Sequence, residues 1–286
     1  MKLASANLTS TIERNVTAAL AEDIGSGDLT AQLAPDAPDA QATVISRQQA
    51  VLCGAAWFDA CVLRLDPQAR LRWHARDGDP VAPAARLCEI TGSSRALLTA
   101  ERTALNFLQL LSATATTTRQ YVDAVHGTRA AILDTRKTLP GLRAAQKYAV
   151  TVGGGQNHRM GLWDAILIKE NHIAAAGGIR PALAAASALA AQAQWIQVEV
   201  ETLEQLRVAV DAGAKMILLD NMTLEKMRAA VVWTAGRAQL EASGGITLEN
   251  VRAIAATGVD RISIGALTKD VAAVDLSMRF APGKTK

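Results

Sequence analysis

Basic side chains are bunched in one stretch of this sequence. Residues 134–169 hold Arg136, Lys137, Arg143, Lys147, Arg159 and Lys169 against the two acids Asp134 and Asp164, so 36 residues carry +4 while the whole chain carries +3. Arg143 and Lys147 lie four apart on an expected helix and read as a solvated face. The other four fall at the ends of apolar runs or in the glycine-rich loop 153–159. An arginine fork matches a carboxylate bidentately, whereas a lysine acts as a point charge. A mixed set therefore suits a substrate that carries both carboxylate and phosphate. His158, beside Arg159 in that loop, is a candidate for the same site. His172 stands between a site role and a bland one, and His74 and His126 read as ordinary surface or core residues.

Acids and glycines follow further along the chain. Glu199 and Asp220 close two successive apolar runs. Two carboxylates beside a phosphate site can hold Mg²⁺, which takes one or two protein carboxylates and completes its shell from phosphate and water. They can equally bind ribose hydroxyls or form internal salt bridges to Lys169 or Lys137. Ser243-Gly244-Gly245 and Gly265 sit at the last two strand ends. Glycine lets backbone N–H groups approach an anion closely, and a helix expected from Leu248 would add a favourable dipole. An ordinary tight turn is the alternative for a single glycine pair; Gly265 beside it favours phosphate. No nucleophilic triad is evident, since Ser243 has no partnered base.

Regular elements must position these groups. Six short apolar runs, 130–133, 164–168, 195–200, 216–219, 239–242 and 261–264, alternate with helical patterns over 141–150, 180–193, 203–212, 223–235 and 248–257. That alternation predicts parallel βαβ units. Functional groups in such folds lie at the carboxyl ends of the strands, where every run here delivers polar residues or glycine. Six strands fall short of the eight of a full barrel, so the expectation is an incomplete TIM-like α/β barrel, with an open doubly wound sheet as the alternative. Residues up to about 115 differ in texture. An amphipathic helix is expected over Leu8–Ala21, a strand over Ala42–Ser46 and a long helix from about Ser94 to Val125. The stretch from Phe280 to Lys286 reads as a surface tail.

Composition narrows the function classes. Half of the residues are hydrophobic but only 3% are aromatic. That suits helices on a buried parallel sheet and not a stacking platform for nucleic acid. The N-terminus, Met1-Lys2-Leu3-Ala4-Ser5-Ala6-Asn7, is no secretory signal, and no apolar run reaches the ~18 residues needed to span a membrane. Cys53, Cys61 and Cys88 fit no zinc spacing and read as reduced, buried thiols of a cytoplasmic protein.

The motifs then resemble one family. Asp134-Thr135-Arg136-Lys137-Thr138-x-Pro140-Gly141-x-Arg143, Asn157-His158-Arg159-x-Gly161-Leu162 and Ile168-Lys169-Glu170-Asn171-His172 are similar to the quinolinate phosphoribosyltransferases. So are Glu22-Asp23-x-Gly25-x-Gly27-Asp28-Leu29-Thr30, Glu101-Arg102-Thr103-x-Leu105-Asn106, Val198-Glu199-Val200-Glu201, Leu219-Asp220-Asn221 and Glu241-Ala242-Ser243-Gly244-Gly245. The likeness runs in order along nearly the whole chain.

That resemblance implies a reaction. Quinolinate and phosphoribosyl pyrophosphate would give nicotinate mononucleotide, pyrophosphate and CO2 with Mg²⁺, a step of NAD biosynthesis. It implies an N-terminal α/β sandwich (residues 1–115, joined by 272–286) and a catalytic α/β barrel (116–271). It implies a homodimer, or a larger assembly, in which Arg102 reaches the neighbouring subunit's site. Arg102, Arg136, His158, Arg159 and Lys169 would surround quinolinate, and Lys137 would serve the phosphoribosyl donor. Glu199 and Asp220 would hold Mg²⁺, and Ser243, Gly244 and Gly265 the 5-phosphate. Lys137, Lys169, Glu199 and Asp220 would then carry the chemistry. Other readings are a relative with a different acceptor acid, a Schiff-base lyase built on Lys169, and a phosphosugar-binding regulator.

Overall fold

The computed structural model describes residues 5–281. The chain forms two compact units, one from residues 1–119, 139–154 and 270–286, the other from 120–138 and 155–269.

The first unit is an antiparallel sheet with helices packed in one core. Helix α1 (Ser5–Ile24) buries Thr11, Val16 and Leu20 along one stripe. Strand β1 (Ala40–Ser46) buries alternate residues Ala42, Val44 and Ser46, the period of a sheet with one covered face. The two-residue strand β2 (Ala50–Val51) precedes α2 (Ala55–Leu65), which buries Trp57, Phe58, Cys61 and Val62. Strands β3 (Arg70–Trp73), β4 (Pro80–Val81) and β5 (Arg86–Gly92) follow. Helix α3 (Ser94–Ala124) contains no glycine or proline to break it, and it buries Leu97, Leu105, Leu108 and Leu111 while Leu98 stays exposed.

Strand β6 (Ala131–Leu133) opens the second unit, but α4 (Arg143–Val152) belongs to the first. Lys147 on α4 is fully buried, contrary to the solvated face expected from sequence. The cause is the docking of this helix: Ala145, Ala149 and Val150 bury with Lys147. Gly153 ends α4 where its backbone meets α3. A side-chain carbon there would lie 2.5 Å from the Ala115 carbonyl oxygen and 2.7 Å from Thr118 Cβ. Arg119 Nε donates to the Gly153 carbonyl at 3.0 Å at the same crossing.

The second unit continues with β7 (Ile166–Ile168), α5 (Glu170–Ala176), α6 (Ile179–Ser187) and β8 (Ile196–Val200). Helix α7 (Leu203–Asp211) starts at a capping box in which Thr202 and Gln205 satisfy each other's backbone N–H groups. Strand β9 (Met216–Asp220), α8 (Leu224–Thr234, capped by Thr223), β10 (Gln239–Ser243), α9 (Val251–Ala255), β11 (Arg261–Ser263) and α10 (Ala266–Lys269) complete it. Last comes β12 (Leu276–Phe280), which returns to the first unit and pairs antiparallel with β1 in the order β12-β1-β5-β3. Phe280, expected at the start of a tail, closes this strand; residues 282–286 lie outside the described residues, as do Met1–Ser5 side chains and the Ala6 and Asn7 side chains of the N-terminal reading.

Six strands form one parallel sheet in the order β6-β11-β10-β9-β8-β7. Strands lie about 4.8 Å apart, so β10 and β8 would be ~9.6 Å apart in a flat sheet and β6 and β8 twice that. Yet Gln197 Nε2 on β8 donates to Glu241 Oε2 on β10 at 3.1 Å. His158, whose backbone N–H donates to Asp134 at the end of β6, brings its ring within 3.1 Å of the same Gln197. Contacts across that many strands require the sheet to roll up. The unit is therefore an incomplete barrel and not the open doubly wound sheet.

Replacing Gly153 by alanine should cost about 1–3 kcal/mol, because the backbone of α3 cannot yield cheaply to the new methyl group. Urea denaturation followed by circular dichroism measures it; an unshifted midpoint would contradict the close packing at this crossing.

Candidate active site

Alternation along each strand decides which side chains face the barrel interior. On β8 the inward pair is Gln197 and Glu199; on β10 it is Glu241 and Ser243. Register sets Leu218 beside Glu241 and Asp220 beside Ser243. The inward row thus changes character along the barrel, from a buried polar layer to an open rim at the carboxyl ends.

At that rim Glu199 accepts from Lys169 Nζ at 3.1 Å. Burial pushes the Glu199 carboxyl above its usual range, Lys169 pulls it back, and the negative charge of Asp220 pushes it up again. Asp220 is thus near enough to be felt. Lys169 pairs with Glu199, while Asp220 accepts from the Asn221 side chain. An all-oxygen pair of this kind fits a hard divalent cation. No cluster of three or more metal-ligating side chains occurs among the described residues. A cation at Glu199 and Asp220 would therefore draw its other ligands from substrate oxygens and water, the habit of Mg²⁺.

Positive charge gathers at the same end. Loop 156–164 carries His158 and Arg159 and is pinned at both ends by buried acids. Asp134, fully buried, accepts from the His158 N–H at 2.9 Å and from Asn157 Nδ2 at 2.6 Å. Asp164 accepts from the Met160 and Gly161 N–H groups at 2.7 and 3.0 Å. Between them Arg159 is only 8% exposed and spends Nη1 on the Ala165 carbonyl at 3.3 Å. Its burial, and next the charge of Arg136, disfavour its cationic form, while Asp164 and Glu199 partly compensate. A buried guanidinium that feels a second one would suit an anionic ligand.

Lys137 is exposed, and its backbone is fixed on both sides. Its N–H donates to Thr135 Oγ1 at 3.0 Å and its carbonyl accepts from Thr268 Oγ1 at 2.7 Å. The lysine stem runs past Gly265, where an added side-chain carbon would lie 3.0 Å from Lys137 Cδ. Lys169 caps α5 through its backbone, with the Lys169 N–H donating to His172 Nδ1 at 3.0 Å, so His172 supports the lysine from the exposed side.

Gly244 and Gly245 continue β10 with φ of +99° and +58°. A side chain at Gly244 would lie 2.0 Å from Asn221 Oδ1. Asn221, itself left-handed at φ +51°, donates from its N–H to the Ser243 carbonyl at 3.0 Å and from Nδ2 to Asp220 Oδ2 at 2.8 Å. One asparagine therefore ties the metal-type carboxylate to the glycine turn. The helix expected from Leu248 begins only at Val251 and is five residues long. Asn250 explains the delay: its Oδ1 accepts from the Thr247 N–H and its Nδ2 donates to the Gly245 carbonyl, which holds the turn through 250. With so short a helix after it, this turn could offer an anion backbone N–H groups but little helix dipole.

Ten of the eleven residues singled out from sequence lie in the second unit; Arg102 is exposed on α3 in the first. Asn221, Asp164, Gln197 and Glu241 were given no role. Gln197 and Glu241 are 1% and 0% exposed, and Arg261 Nε lies 3.2 Å from Glu241 Oε2. Their signal was present: polar residues two apart, Gln197/Glu199 and Glu241/Ser243, interrupt runs that a two-sided buried strand would keep apolar.

Known proteins are similar to this chain along nearly its whole length. A family model described as the quinolinate phosphoribosyl transferase C-terminal domain matches residues 114–279, and one for the N-terminal domain matches 28–112. The nicotinate-nucleotide pyrophosphorylase (carboxylating) of Mycobacterium leprae is 43% identical over 270 residues, covering 91% of this chain and 94% of that one. A mitochondrial quinolinate phosphoribosyltransferase (decarboxylating) 2b of Nicotiana tabacum is 38% identical over 282 residues, covering 92% of this chain and 80% of its own. The solved nicotinate-nucleotide pyrophosphorylase of Francisella tularensis superposes with a TM-score of 0.92 at 46% identity, over 95% of this chain and 96% of that one. With both family models matched in order and both units accounted for, the chain belongs to the quinolinate phosphoribosyltransferase family.

Proposed function

We propose that this enzyme transfers the phosphoribosyl group of phosphoribosyl pyrophosphate to quinolinate and releases pyrophosphate and CO2, forming nicotinate mononucleotide for NAD biosynthesis. One observation carries the reading: the cations Arg159, Arg136 and Lys169 and the Glu199/Asp220 couple stand at one end of one barrel. Quinolinate bears two adjacent carboxylates, and a close cation contact is worth about 4 kcal/mol at an effective dielectric of about 20. Arg136, His158, Arg159 and Lys169 would neutralise and orient the ring. Lys137 would face the donor, and Ser243, Gly244 and Gly265 would hold its 5-phosphate. Glu199 and Asp220 would hold Mg²⁺, which when bound supplies charge neutralisation for the leaving pyrophosphate.

The chain's own contribution is position and charge. The ring nitrogen forms a bond to the ribose carbon as the bond to pyrophosphate breaks. The nitrogen is then cationic, so the electron pair left when the neighbouring carboxylate departs as CO2 is stabilised until the ring carbon takes up a proton. Arg159, already short of water, favours a ligand that arrives with two negative charges. Lys169 stands ion-paired with Glu199 at 3.1 Å, beside the proposed metal carboxylates. That contact favours transfer over the lyase reading. Arg102, exposed on α3, would complete the acceptor site of a second subunit in a homodimer. Three free, buried thiols accord with a reducing, cytoplasmic setting. No helix among the described residues is long and apolar enough to cross a membrane.

Supplied with phosphoribosyl pyrophosphate and Mg²⁺, the purified enzyme should release CO2 and pyrophosphate in equal amounts from quinolinate and leave nicotinate unchanged. Turnover of nicotinate without CO2 would replace this acceptor by another. A shared site makes a second prediction. Arg102→Ala and Glu199→Ala proteins should each be inactive alone and recover about a quarter of wild-type activity when mixed and allowed to exchange subunits, a statistical share consistent with sites built from two chains. No recovery after exchange, verified by mass spectrometry, would place Arg102 outside the neighbour's site.

A further inference from the structure

Beneath the rim lies a polar layer that the reaction as proposed does not use. Glu241 is fully buried on β10 with Arg261 Nε at 3.2 Å. Gln197 lies between Glu241 and the ring of His158. Its Nε2 is 3.1 Å from Glu241 Oε2, and its Oε1 is 3.1 Å from His158 Nε2. Glu241 Oε1 lies 3.5 Å from the same ring nitrogen. Trp195 meets the imidazole edge-on, with ring centroids 4.8 Å apart.

The direction of these bonds follows from what each group can do. A carboxylate ion-paired with arginine only accepts. The amide of Gln197 must therefore turn its NH2 toward Glu241, because turning its oxygen there would set two acceptors against each other in a place without water. Its oxygen then faces His158. Both protein groups nearest Nε2 are acceptors, so Nε2 has to carry a proton. We infer that Gln197 and Glu241 are positioning residues that fix the proton of His158 on Nε2 and, with it, the angle at which this histidine and the adjoining Arg159 are presented to the acceptor. A barrel interior filled only for packing would have no need of a directed chain from arginine to carboxylate to amide to imidazole. Aliphatic residues would fill the space without the cost of burying charge.

The role assigned to His158 rests on the acceptor site proposed above; the tautomer does not. The chain has four histidines, so ¹⁵N-histidine labelling with a His158→Gln control assigns the resonance. A long-range ¹H–¹⁵N spectrum of the wild-type protein at neutral pH should show the His158 proton on Nε2. Glu241→Gln keeps the shape but lets Gln197 turn over, and it should give a mixture of tautomers. Should that variant fail to fold, Glu241→Leu with Arg261→Met removes the ion pair as a unit and should give the same mixture. In whichever variant folds, KM for quinolinate should rise about tenfold, a loss of the order of one charge-assisted hydrogen bond, with kcat changed less. A wild-type proton on Nδ1 alone, or an unchanged Nε2 proton in the folded variant, would overturn the inference. A scrambled tautomer with unchanged KM would overturn the positioning role and reduce the layer to packing. Absence of any quinolinate turnover by the wild type would instead sink the acceptor assignment and leave the tautomer result standing.

Discussion

Arg159 and Arg136 repel one another in a place where water does little to help. Arg159 is nearly buried, and nothing about a folded chain favours bringing a second guanidinium near it. The rest of the second unit can be understood as the means of holding that arrangement. Asp134 and Asp164 accept from backbone N–H groups of the loop that carries Arg159 and so fasten it at both ends. Asp164 also offsets part of the repulsion. Glu199 offsets a further part, and a small dianion would relieve what remains of the repulsion between the two arginines. A rigid loop keeps it poised, since a flexible one would let the two arginines drift apart.

The same rim also holds carboxylates, at the ends of β8 and β9. Glu199 is paired with Lys169, and its burial and the charge of Asp220 both disfavour its ionised form. A parallel barrel can hold both kinds of charge at one end because strand register and inward alternation stack its side chains in layers. Polar groups below the rim, from Glu241 through Gln197 to His158, are hydrogen-bonded to one another, although Glu241 Oε1 and Arg261 Nε keep no hydrogen bond; those at the rim face the open end. That gradient along the strands separates scaffold from site more sharply than residue type does. Asn221 shows how closely the parts are coupled: a single left-handed residue fixes both the Asp220 carboxylate and the glycine turn beside it.

All six parallel strands and five of the helices between them were legible in sequence, since a short apolar run followed by a helical period leaves little choice; the short α5 and α10 were not, and α4 packs in the first unit. So was the set of cations, because charge clustered at strand ends is not dispersed by folding. Three features were not legible. Lys147 reads as exposed by residue type, but the segment carrying it docks in the first unit, a tertiary matter that spacing does not encode. The helix after Gly245 was placed too early because Asn250 uses its side chain on the turn and postpones the first helical residue. The buried layer of Gln197 and Glu241 was visible as interrupted strands, but which partners those groups would find depends on how far the sheet curls. Strands β3 and β5 and helix α2 of the first unit also went unread, because these elements are short and separated by turns.

Phthalate, the carbocyclic counterpart of quinolinate, offers the most direct test of whether one rim carries both kinds of charge. A crystal structure of the enzyme with phthalate and Mg²⁺-phosphoribosyl pyrophosphate should show the two carboxylates against Arg136, Arg159 and Lys169 and the donor's pyrophosphate oxygens sharing a metal with Glu199 and Asp220. Density for the dicarboxylate away from the carboxyl ends of the strands, or for the donor in a separate cavity, would contradict the account.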